Sequence, residues 1–282
     1  MLGYLFPGQG SQICGMGNTL FDEFAEISAQ ADEILGYSIK NLCLHDPLQQ
    51  LNQTEYTQPA LYIVNAITYF KKLKDTRLKP DYVAGHSLGE YNALLAAEVF
   101  DFQTGLQLVK KRGELMSQAT NGAMAAIVGL TSMEIKQLLE DNHLTDITIA
   151  NYNSYKQSVI SGIKNDIDQS RQIFEKIKEV SFISLKASGA FHSPYMLSAQ
   201  QEFAEFLKEF EFSVPTIPVL ANIDADFYHP AAMRSNMSQQ ITHSVRWIDT
   251  VEYLLSQSNV VFEEIGPGNV LTGIIRRIKN GQ

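Results

Sequence analysis

A serine lies between two glycines in the segment GHSLG, residues 85–89, and this spacing suits a nucleophilic hydroxyl. The segment follows a short apolar run and precedes a helical pattern, and in that context G-x-S-x-G is typical of a nucleophile elbow. The hydroxyl of Ser87 would project above a helix N-terminus, where backbone N–H groups and the helix dipole favour a developing oxyanion. A helix cap is the alternative, because Ser87 and Glu90 also have the spacing of a capping box.

A nucleophilic serine needs a base, and the chain has six histidines. His86 adjoins Ser87, but adjacent residues on a sharp turn point apart, so we expect the base from elsewhere in the chain. His192 follows the small-residue connection SGAF, residues 188–191, where a loop could pass close to the elbow. His192 is therefore the candidate base, although a structural role in the core or on the surface is commoner for any single histidine.

Arg112 is the third candidate, in a predicted helix over residues 102–118. Helical spacing places it on the same side as Leu108, Val109 and Met116. A guanidinium on an apolar side must extend to water, pair with a protein carboxylate or bind an anionic ligand. Its planar fork suits a substrate carboxylate, while on spacing alone extension to water or a structural ion pair is the somewhat commoner outcome.

The start of the chain supplies a glycine-rich turn, FPGQGSQICGMG, at residues 6–17. It lacks the Lys-Ser/Thr pair of a P-loop, and Ile13 stands where G-x-G-x-x-G has its third glycine, so a nucleotide site is not indicated. A tight loop is one interpretation. The other is that a glycine-rich turn at the carboxyl end of a strand presents backbone N–H groups to a ligand, beside an elbow on a neighbouring strand.

Strands and helices that alternate along the chain would position these residues, a pattern typical of an α/β fold. Strands are predicted at residues 2–6 and 82–84, and helices at 19–36, 58–74 and 102–118. In the middle of the chain the predicted order is strand 123–130, helix 132–141, strands 146–151 and 157–162, helix 165–178 and strand 180–187, the βαββαβ unit of a ferredoxin-like subdomain. The sequence thus predicts an α/β-hydrolase-like large subdomain with a parallel sheet, residues 1–121 and 190–282, and a ferredoxin-like small subdomain, residues 122–189.

Composition limits the function classes. With 282 residues, 45% hydrophobic and 19% charged, the chain has the length and apolar content for one large domain or a main domain with a smaller one. A net charge of -9 argues against nucleic acid as a partner. Pro7 and Gly8 interrupt the first apolar run, and no run is long enough for a membrane span, so we expect a cytoplasmic protein. Cys14 and Cys43 are too few and isolated for a disulfide framework or a zinc site.

Taken together, seven stretches in order over nearly the whole chain resemble the malonyl-CoA:acyl-carrier-protein transacylase family. Within it, LGYSIKNLC (35–43) and TQPALYIVNA (57–66) are most similar to the free-standing acyltransferases that serve modular polyketide synthases in trans. The matching stretches are FPGQGSQ (6–12), TQPA (57–60), GHSLGE (85–90), VKKRG (109–113), AFHS (190–193), EIGPG (264–268) and VLTG (270–273).

The resemblance implies a role for each candidate. Ser87 would be the acylated nucleophile and His192 its general base. The backbone N–H groups of Gln9 and Leu88 would form the oxyanion hole. Arg112 would bind the malonyl carboxylate.

It also implies how the histidine is oriented. In this family a backbone carbonyl takes the place of a triad aspartate, and the matching position is Gln240 in QQITHSVRW, residues 239–247. The family usually has a proline two residues before Arg246, where this chain has Ser244, so the chain departs from the pattern in the loop that carries Gln240.

The implied activity is ping-pong transfer of malonyl from malonyl-CoA to the phosphopantetheine thiol of an acyl carrier protein, for polyketide or fatty acid biosynthesis. The resemblance implies no metal and no cofactor, and we expect a monomer. An acyl hydrolase that clears stalled acyl groups would use the same Ser87 and His192 with water as acceptor, but Arg112 gives it no advantage for uncharged chains. A non-catalytic carrier-protein-binding scaffold would have no reason to keep these side chains together.

An acidic carrier protein would need a basic patch for docking, because this chain is acidic too. Solvated helix faces are the alternative interpretation of such patches. The candidates are Lys71, Lys72, Lys74, Arg77 and Lys79, or Arg276, Arg277 and Lys279.

Overall fold

The computed structural model describes residues 1–257 and 259–281, and its strands form two four-stranded sheets. None of the helices in this part of the chain has the length and apolar character to cross a membrane. The strands are β1 Leu2–Phe6, β2 Tyr82–Gly85, β3 Gly122–Val128, β4 Thr148–Ser154, β5 Gln157–Ile163, β6 Ser181–Ser184, β7 Val219–Leu220 and β8 Val261–Glu264. The helices are α1 Leu20–Glu23, α2 Ala25–Leu35, α3 Ile39–His45, α4 Thr54–Thr76, α5 Gly89–Ala96, α6 Phe102–Ser117, α7 Ser132–Asp141, α8 Lys164–Phe174, α9 Leu197–Phe206, α10 Met233–Gln239, α11 Trp247–Ser256 and α12 Val270–Lys279.

The first sheet is parallel, with the strand order β7-β2-β1-β8. Its central strand β1 is buried on both faces, with Tyr4 and Phe6 in one apolar cluster and Leu5 in another. Residues of α4, α5 and α6 belong to the first cluster, and residues of α11 and α12 to the second. Because both faces are covered, the strand needs a continuous apolar sequence, which is what LGYLF supplies.

The carboxyl ends of β1 and β2 lie side by side. Phe6 pairs with Gly85 in the parallel register, and the His86 N–H donates to the Phe6 carbonyl oxygen at 3.0 Å. The glycine-rich turn after β1 and the GHSLG turn after β2 therefore meet at one edge of the sheet.

The second sheet is antiparallel, with the order β4-β5-β3-β6. On its central strand β3, Ala125 and Ile127 pack with α7 and α8 in a separate core. The alternating residues Met124 and Ala126 face the other way and line the cavity described below. Two-residue alternation thus gives β3 one face for its own core and one for the site.

The predicted fold class is confirmed: an α/β protein with a parallel sheet and a βαββαβ segment. The subdomain limits at residues 122 and 189 stay a prediction. The prediction of a single helix over residues 19–36 was wrong. The helix is interrupted at Phe24, where φ is -113° and ψ is 48°, and this residue separates α1 from α2. It also missed β7, which has two residues, and β8, which is only partly buried.

Candidate active site

Ser87 lies in the turn between β2 and α5, with a φ of +52°. This left-handed conformation costs a non-glycine residue roughly 1–3 kcal/mol. A Cβ on Gly85 would collide with the backbone of Gly89 and Glu90, and one on Gly89 would collide with the Phe6 carbonyl oxygen. The flanking glycines thus let the turn close against β1, and the strand-turn-helix arrangement expected of a nucleophile elbow is present.

The capping-box alternative is wrong. Leu88 precedes α5 as its N-cap, with no hydrogen bond from a capping side chain. The Glu90 carboxylate instead accepts hydrogen bonds from the Asn222 N–H at 2.5 Å and the Tyr228 hydroxyl at 2.6 Å. The Ser87 hydroxyl lies 2.7 Å from Nε2 of His192 and does not cap the helix.

His192 arrives from the segment that follows β6 and reaches the elbow. Its Nε2 lies 2.7 Å from Ser87 Oγ, and its Nδ1 lies 2.8 Å from the Gln240 carbonyl oxygen and 3.1 Å from that of His243. Two acceptors at Nδ1 place the ring proton there, which leaves Nε2 free to accept the serine proton. The predicted carbonyl of Gln240 is in place, and the second carbonyl, from His243, was not anticipated.

The imidazole of His192 is held neutral by its surroundings. The residue is 4% exposed. Burial, followed by the charge of Arg112, lowers the pKa of His192 to about 3. A neutral ring is the form that can act as a general base.

His86 faces other partners. Its Nε2 lies 2.9 Å from the Asn153 Oδ1, and its ring lies 5.4 Å from that of Trp247. Burial lowers the pKa of His86 as well. The histidine next to Ser87 in sequence is therefore not its partner, as the turn geometry predicts.

The loop of Gln240 is fixed to the small sheet at the position where the family pattern has proline. Ser244 Oγ donates to the Ile149 carbonyl oxygen at 2.6 Å, and the Val245 N–H donates to the Ala150 carbonyl oxygen at 2.8 Å. Ser244 thus ties the loop to β4 through its side chain. The Gln240 side chain has a further contact that sequence reasoning missed, since its Nε2 donates to the Ser87 carbonyl oxygen at 2.9 Å.

Arg112 is 1% exposed and lies beside the nucleophile. Its Nη1 donates to Gln58 Oε1 at 2.7 Å, and its Nη2 donates to Gln240 Oε1 at 2.9 Å and to Ser87 Oγ at 3.3 Å. The Tyr91 ring lies 5.7 Å from the guanidinium carbon. Every one of these protein acceptors is neutral.

The alternatives for Arg112 are therefore excluded by its position. It does not extend to water, and none of the ion pairs found in residues 1–257 and 259–281 includes it. Its Nε has no hydrogen-bond partner in the same residues. Burial lowers the pKa of Arg112, but a guanidinium stays protonated in proteins. The buried carboxyl of Glu90 raises the pKa of Arg112 by its charge but does not pair with it directly. A buried cation whose direct hydrogen-bond acceptors are neutral is suited to an anionic ligand.

A cavity of about 620 Å³ opens over these side chains. The elbow and the glycine-rich turn form its floor, and Met124, Ala126 and Val159 of the small sheet form a wall. The predicted residues that line it are Gln9, Ser87, Leu88, Arg112 and His192. Gln240 lies behind them, fully buried.

The backbone donors at the elbow leave Leu88 available. The Ser87 N–H donates to Asn222 Oδ1, the Gly89 N–H to the His86 carbonyl oxygen and the Glu90 N–H to that of Ser87. By contrast, the Leu88 N–H has no acceptor in the part of the chain that the structure describes. A free N–H at the floor of the cavity is what an oxyanion hole requires.

Gln9 is the second predicted donor, and its N–H likewise has no acceptor among the described residues. Thr54 Oγ1 donates to Gln9 Oε1 at 2.6 Å, which holds the side chain against α4. Asn65 Nδ2 donates to the Pro7 carbonyl oxygen at 3.0 Å and fixes the start of the same turn. The turn is therefore held on both sides of the Gln9 N–H.

The two candidate basic patches differ in their surroundings. In the first, Lys71, Lys72, Lys74 and Lys79 pair with Glu23, Asp75, Glu263 or Glu98. In the second, on α12, Arg277 lines the cavity together with Lys186, and its Nη1 donates to Gln157. Arg277 of the second patch therefore lies at the site, whereas the charge of the first patch is largely compensated.

The chain is similar to known acyltransferases over its whole length. The family model described as "Acyl transferase domain" matches residues 3–280. The polyketide biosynthesis malonyl CoA-acyl carrier protein transacylase PksC of Bacillus subtilis is 57% identical over 280 residues, 99% of this chain and 97% of that protein. The corresponding BaeC of Bacillus velezensis is also 57% identical, over 281 residues, with the same coverage.

The structure is also similar to solved structures of malonyl transacylases. A malonyl CoA-acyl carrier protein transacylase from Burkholderia pseudomallei has a TM-score of 0.98 at 47% identity, and the match covers 100% of this chain and 99% of the other. A malonyl-transacylase in complex with its type II PKS acyl-carrier protein has a TM-score of 0.93 at 34% identity, covering 99% of this chain and 93% of that one.

Proposed function

The chain belongs to the acyl transferase family, with the malonyl-CoA:acyl-carrier-protein transacylases, and from this premise we propose that it transfers malonyl from malonyl-CoA to the phosphopantetheine thiol of an acyl carrier protein in polyketide biosynthesis. One observation carries the proposal: the guanidinium of Arg112, which has no ion-pair partner in the part of the chain that the structure describes, lies beside the Ser87–His192 pair in a single cavity. A serine nucleophile and a fixed cation together select an acyl group that ends in a carboxylate.

The first half-reaction acylates Ser87. Its Oγ attacks the thioester carbonyl of malonyl-CoA while Nε2 of His192 takes the hydroxyl proton. The tetrahedral oxyanion is stabilised by the N–H groups of Gln9 and Leu88. When the carbon–sulfur bond breaks, protonated His192 returns the proton to the departing CoA thiolate, and malonyl remains as an ester on Ser87.

The second half-reaction reverses these roles. The phosphopantetheine thiol gives its proton to His192 and attacks the ester carbonyl. The bond to Ser87 Oγ breaks, and His192 protonates that oxygen. The product is the malonyl thioester of the carrier protein, and the enzyme returns to its starting state without any metal taking part.

Arg112 determines which acyl group reacts. A malonyl carboxylate can form charge-assisted hydrogen bonds with the guanidinium. An acetyl group leaves that buried charge unpaired, which penalises its binding and transition state. This selectivity favours the transferase over a hydrolase of uncharged acyl chains.

The carrier protein is expected to approach the rim of the cavity at α12. Arg277 and Lys186 line the cavity at this rim, and they supply local positive charge on a chain whose net charge is -9. An acidic carrier protein would be attracted there.

Intact-protein mass spectrometry tests the proposal. After mixing with malonyl-CoA, the transferase shows a malonyl adduct that is absent in Ser87→Ala and that holo, but not apo, carrier protein removes. Acetyl-CoA gives much less adduct. Rapid turnover of uncharged acyl thioesters without an adduct would instead identify a hydrolase. If neither thioester reacts, the protein is a non-catalytic scaffold that binds the carrier protein.

A further inference from the structure

The side-chain amide of Asn222 connects the two ends of the elbow. Its Oδ1 accepts the Ser87 N–H at 2.7 Å, and its Nδ2 donates to the Gly85 carbonyl oxygen at 2.7 Å. Asn222 is 1% exposed and follows β7, which pairs with β2 through Ala84 and Leu220. The neighbouring strand therefore delivers one amide to both backbone groups.

These backbone groups lie at and after the end of β2, beyond its pairing with β7, and need partners. The chain turns away from the strand after Gly85, and a buried N–H or carbonyl without a partner costs roughly 1–3 kcal/mol. Ser87 additionally has a φ of +52°. The Asn222 amide compensates both groups in the same turn conformation that places Ser87 Oγ 2.7 Å from His192.

Asn222 is itself anchored by Glu90. The Asn222 backbone N–H donates to Glu90 Oε2 at 2.5 Å, and the Tyr228 hydroxyl donates to Glu90 Oε1 at 2.6 Å. Glu90 is 1% exposed and lies in the first turn of α5, three residues after Ser87. The contacts close a ring in which Ser87 binds Asn222, Asn222 binds Glu90, and α5 joins Glu90 back to Ser87.

We propose that Asn222 is a positioning residue that holds Ser87 in its reactive conformation, with Glu90 as its anchor. Asn222 does not line the cavity or contact Arg112, so its loss should slow attack by Ser87 and leave substrate binding unchanged. The inference rests on the proposed function for its substrate, malonyl-CoA, but the reactivity of Ser87 can also be measured without it.

The first test is Asn222→Ala. Single-turnover acylation by saturating malonyl-CoA is expected to slow by about 10- to 100-fold, the rate equivalent of one or two lost buried hydrogen bonds. The Kd of malonyl-CoA, measured by calorimetry with Ser87→Ala alone and with Ser87→Ala combined with Asn222→Ala, should change less than about twofold. A wild-type acylation rate overturns the proposal, and so does a Kd that rises in proportion to the loss of rate.

The fraction of enzyme molecules that finally become acylated distinguishes a positioning role of Asn222 from a role in stabilising the fold. If Asn222 positions Ser87, all molecules become acylated, slowly. If it only stabilises the fold, fewer molecules react, each at the wild-type rate, and the proposal is wrong.

Ser170→Ala is the control. Ser170 is fully buried on α8, and its hydroxyl likewise donates to a backbone carbonyl, that of Ile167, at 2.8 Å. It contacts neither the elbow nor Glu90 nor the glycine-rich turn in the described hydrogen bonds. Its acylation rate should stay within about threefold of wild type even if its melting temperature falls, whereas a loss equal to that of Asn222→Ala contradicts the proposal.

Asn222→Asp serves if the alanine variant does not fold. It keeps an acceptor for the Ser87 N–H but places a carboxylate oxygen against the Gly85 carbonyl, so acylation should again slow. A fluorophosphonate probe makes the result independent of the substrate, because Ser87 Oγ displaces fluoride from phosphorus and passes its proton to His192. Slower labelling of Asn222→Asp supports the proposal even if malonyl-CoA proves not to be the substrate, and unchanged labelling overturns it.

Discussion

Nη2 of Arg112 lies 3.3 Å from Oγ of Ser87, so the fixed positive charge of the site is next to its nucleophile. Gln58 and Gln240 orient the guanidinium through neutral amide oxygens and form no ion pair with it. The protein thus orients the guanidinium with neutral side chains, and the carboxylate that pairs with it comes from the malonyl group of the substrate.

Replacement of Arg112 with alanine should therefore remove the preference for malonyl over acetyl thioesters. Acylation by malonyl-CoA should fall by about 10²- to 5 × 10³-fold, because removal of one partner of a buried ion pair costs roughly 3–5 kcal/mol. Acylation by acetyl-CoA should not fall in parallel. Rates with both thioesters, compared with the exposed control Arg234→Ala, check this, and an unchanged ratio would refute the account of specificity.

Gln58→Glu tests the charge of Arg112 without removing it. The substitution keeps the size and the acceptor 2.7 Å from Nη1 but gives Arg112 a carboxylate partner inside the protein. Malonyl acylation should then fall by about tenfold or more, because the substrate has to displace an existing ion pair, while acetyl acylation is retained. Gln58→Met, which removes the acceptor and adds no charge, should have the smaller effect on the malonyl-to-acetyl ratio. Equal ratios in both variants would mean that orientation, not charge, sets specificity.

Ser87, His192 and Arg112 were candidates because each has a local signal, namely a glycine-flanked turn, a small-residue connection and an apolar helix side, and the family resemblance then implied their roles. Gln58 and Asn222 have no such signal. They contact Arg112 and Ser87 across 54 and 135 residues of chain, and only the packing of α4 on α6 and of β7 on β2 brings them there. Glu90 was mispredicted for the same reason. Its spacing from Ser87 fits a capping box, but in the structure its carboxylate accepts a hydrogen bond from the distant Asn222 N–H instead.

The fold shows the same division. β1 and the βαββαβ segment were predictable because full or alternating burial leaves a pattern in the sequence. β7 has too few residues to show any period, and the polar Glu263 and Glu264 end β8. Both strands exist through pairing with β2 and β1, which the sequence does not display.

The depressed pKa of His192 predicts an unusual pH profile. The pKa is lowered to about 3, first by burial and then by Arg112, so the free enzyme keeps a neutral base far below the ordinary histidine value of 6.5. The acid limb of kcat/KM, which reports the free enzyme, should therefore lie well below pH 6.5. Fluorophosphonate labelling of Ser87 against pH measures it without substrate titration. In Arg112→Ala the limb should move towards pH 6.5, and an acid limb near pH 6.5 in the wild type would contradict the assignment.

The raised pKa of Glu90 predicts a pH-dependent stability. Burial raises the pKa of Glu90 to about 7, against the hydrogen bonds from Tyr228 and Asn222. The folded carboxyl binds its proton more tightly than the unfolded carboxyl, whose pKa is 4.5. The protonation of Glu90 therefore contributes fully to the free energy of unfolding below pH 4.5, and this contribution is lost as pH rises through 7. In urea unfolding, the free energy of unfolding of the wild type should fall by up to about 3 kcal/mol relative to that of Glu90→Gln as pH rises from 5 to 8. Parallel stability curves for the two proteins would show that Glu90 does not titrate in this range.

Reversal of charge at Arg277 should weaken docking of the carrier protein and spare the chemistry. Arg277 lies at the rim of the cavity on α12, and a rim charge acts mainly on association rate and its salt dependence. Discharge of malonyl-Ser87 to holo carrier protein in Arg277→Glu should slow by about tenfold at low salt and lose most of its salt dependence. Discharge to free pantetheine, which has no protein surface, should keep its wild-type rate. Lys79→Glu is the control, because Lys79 is already paired with Glu98 outside the cavity. If both charge reversals slow carrier discharge equally, net charge and not a docking surface at α12 governs the encounter.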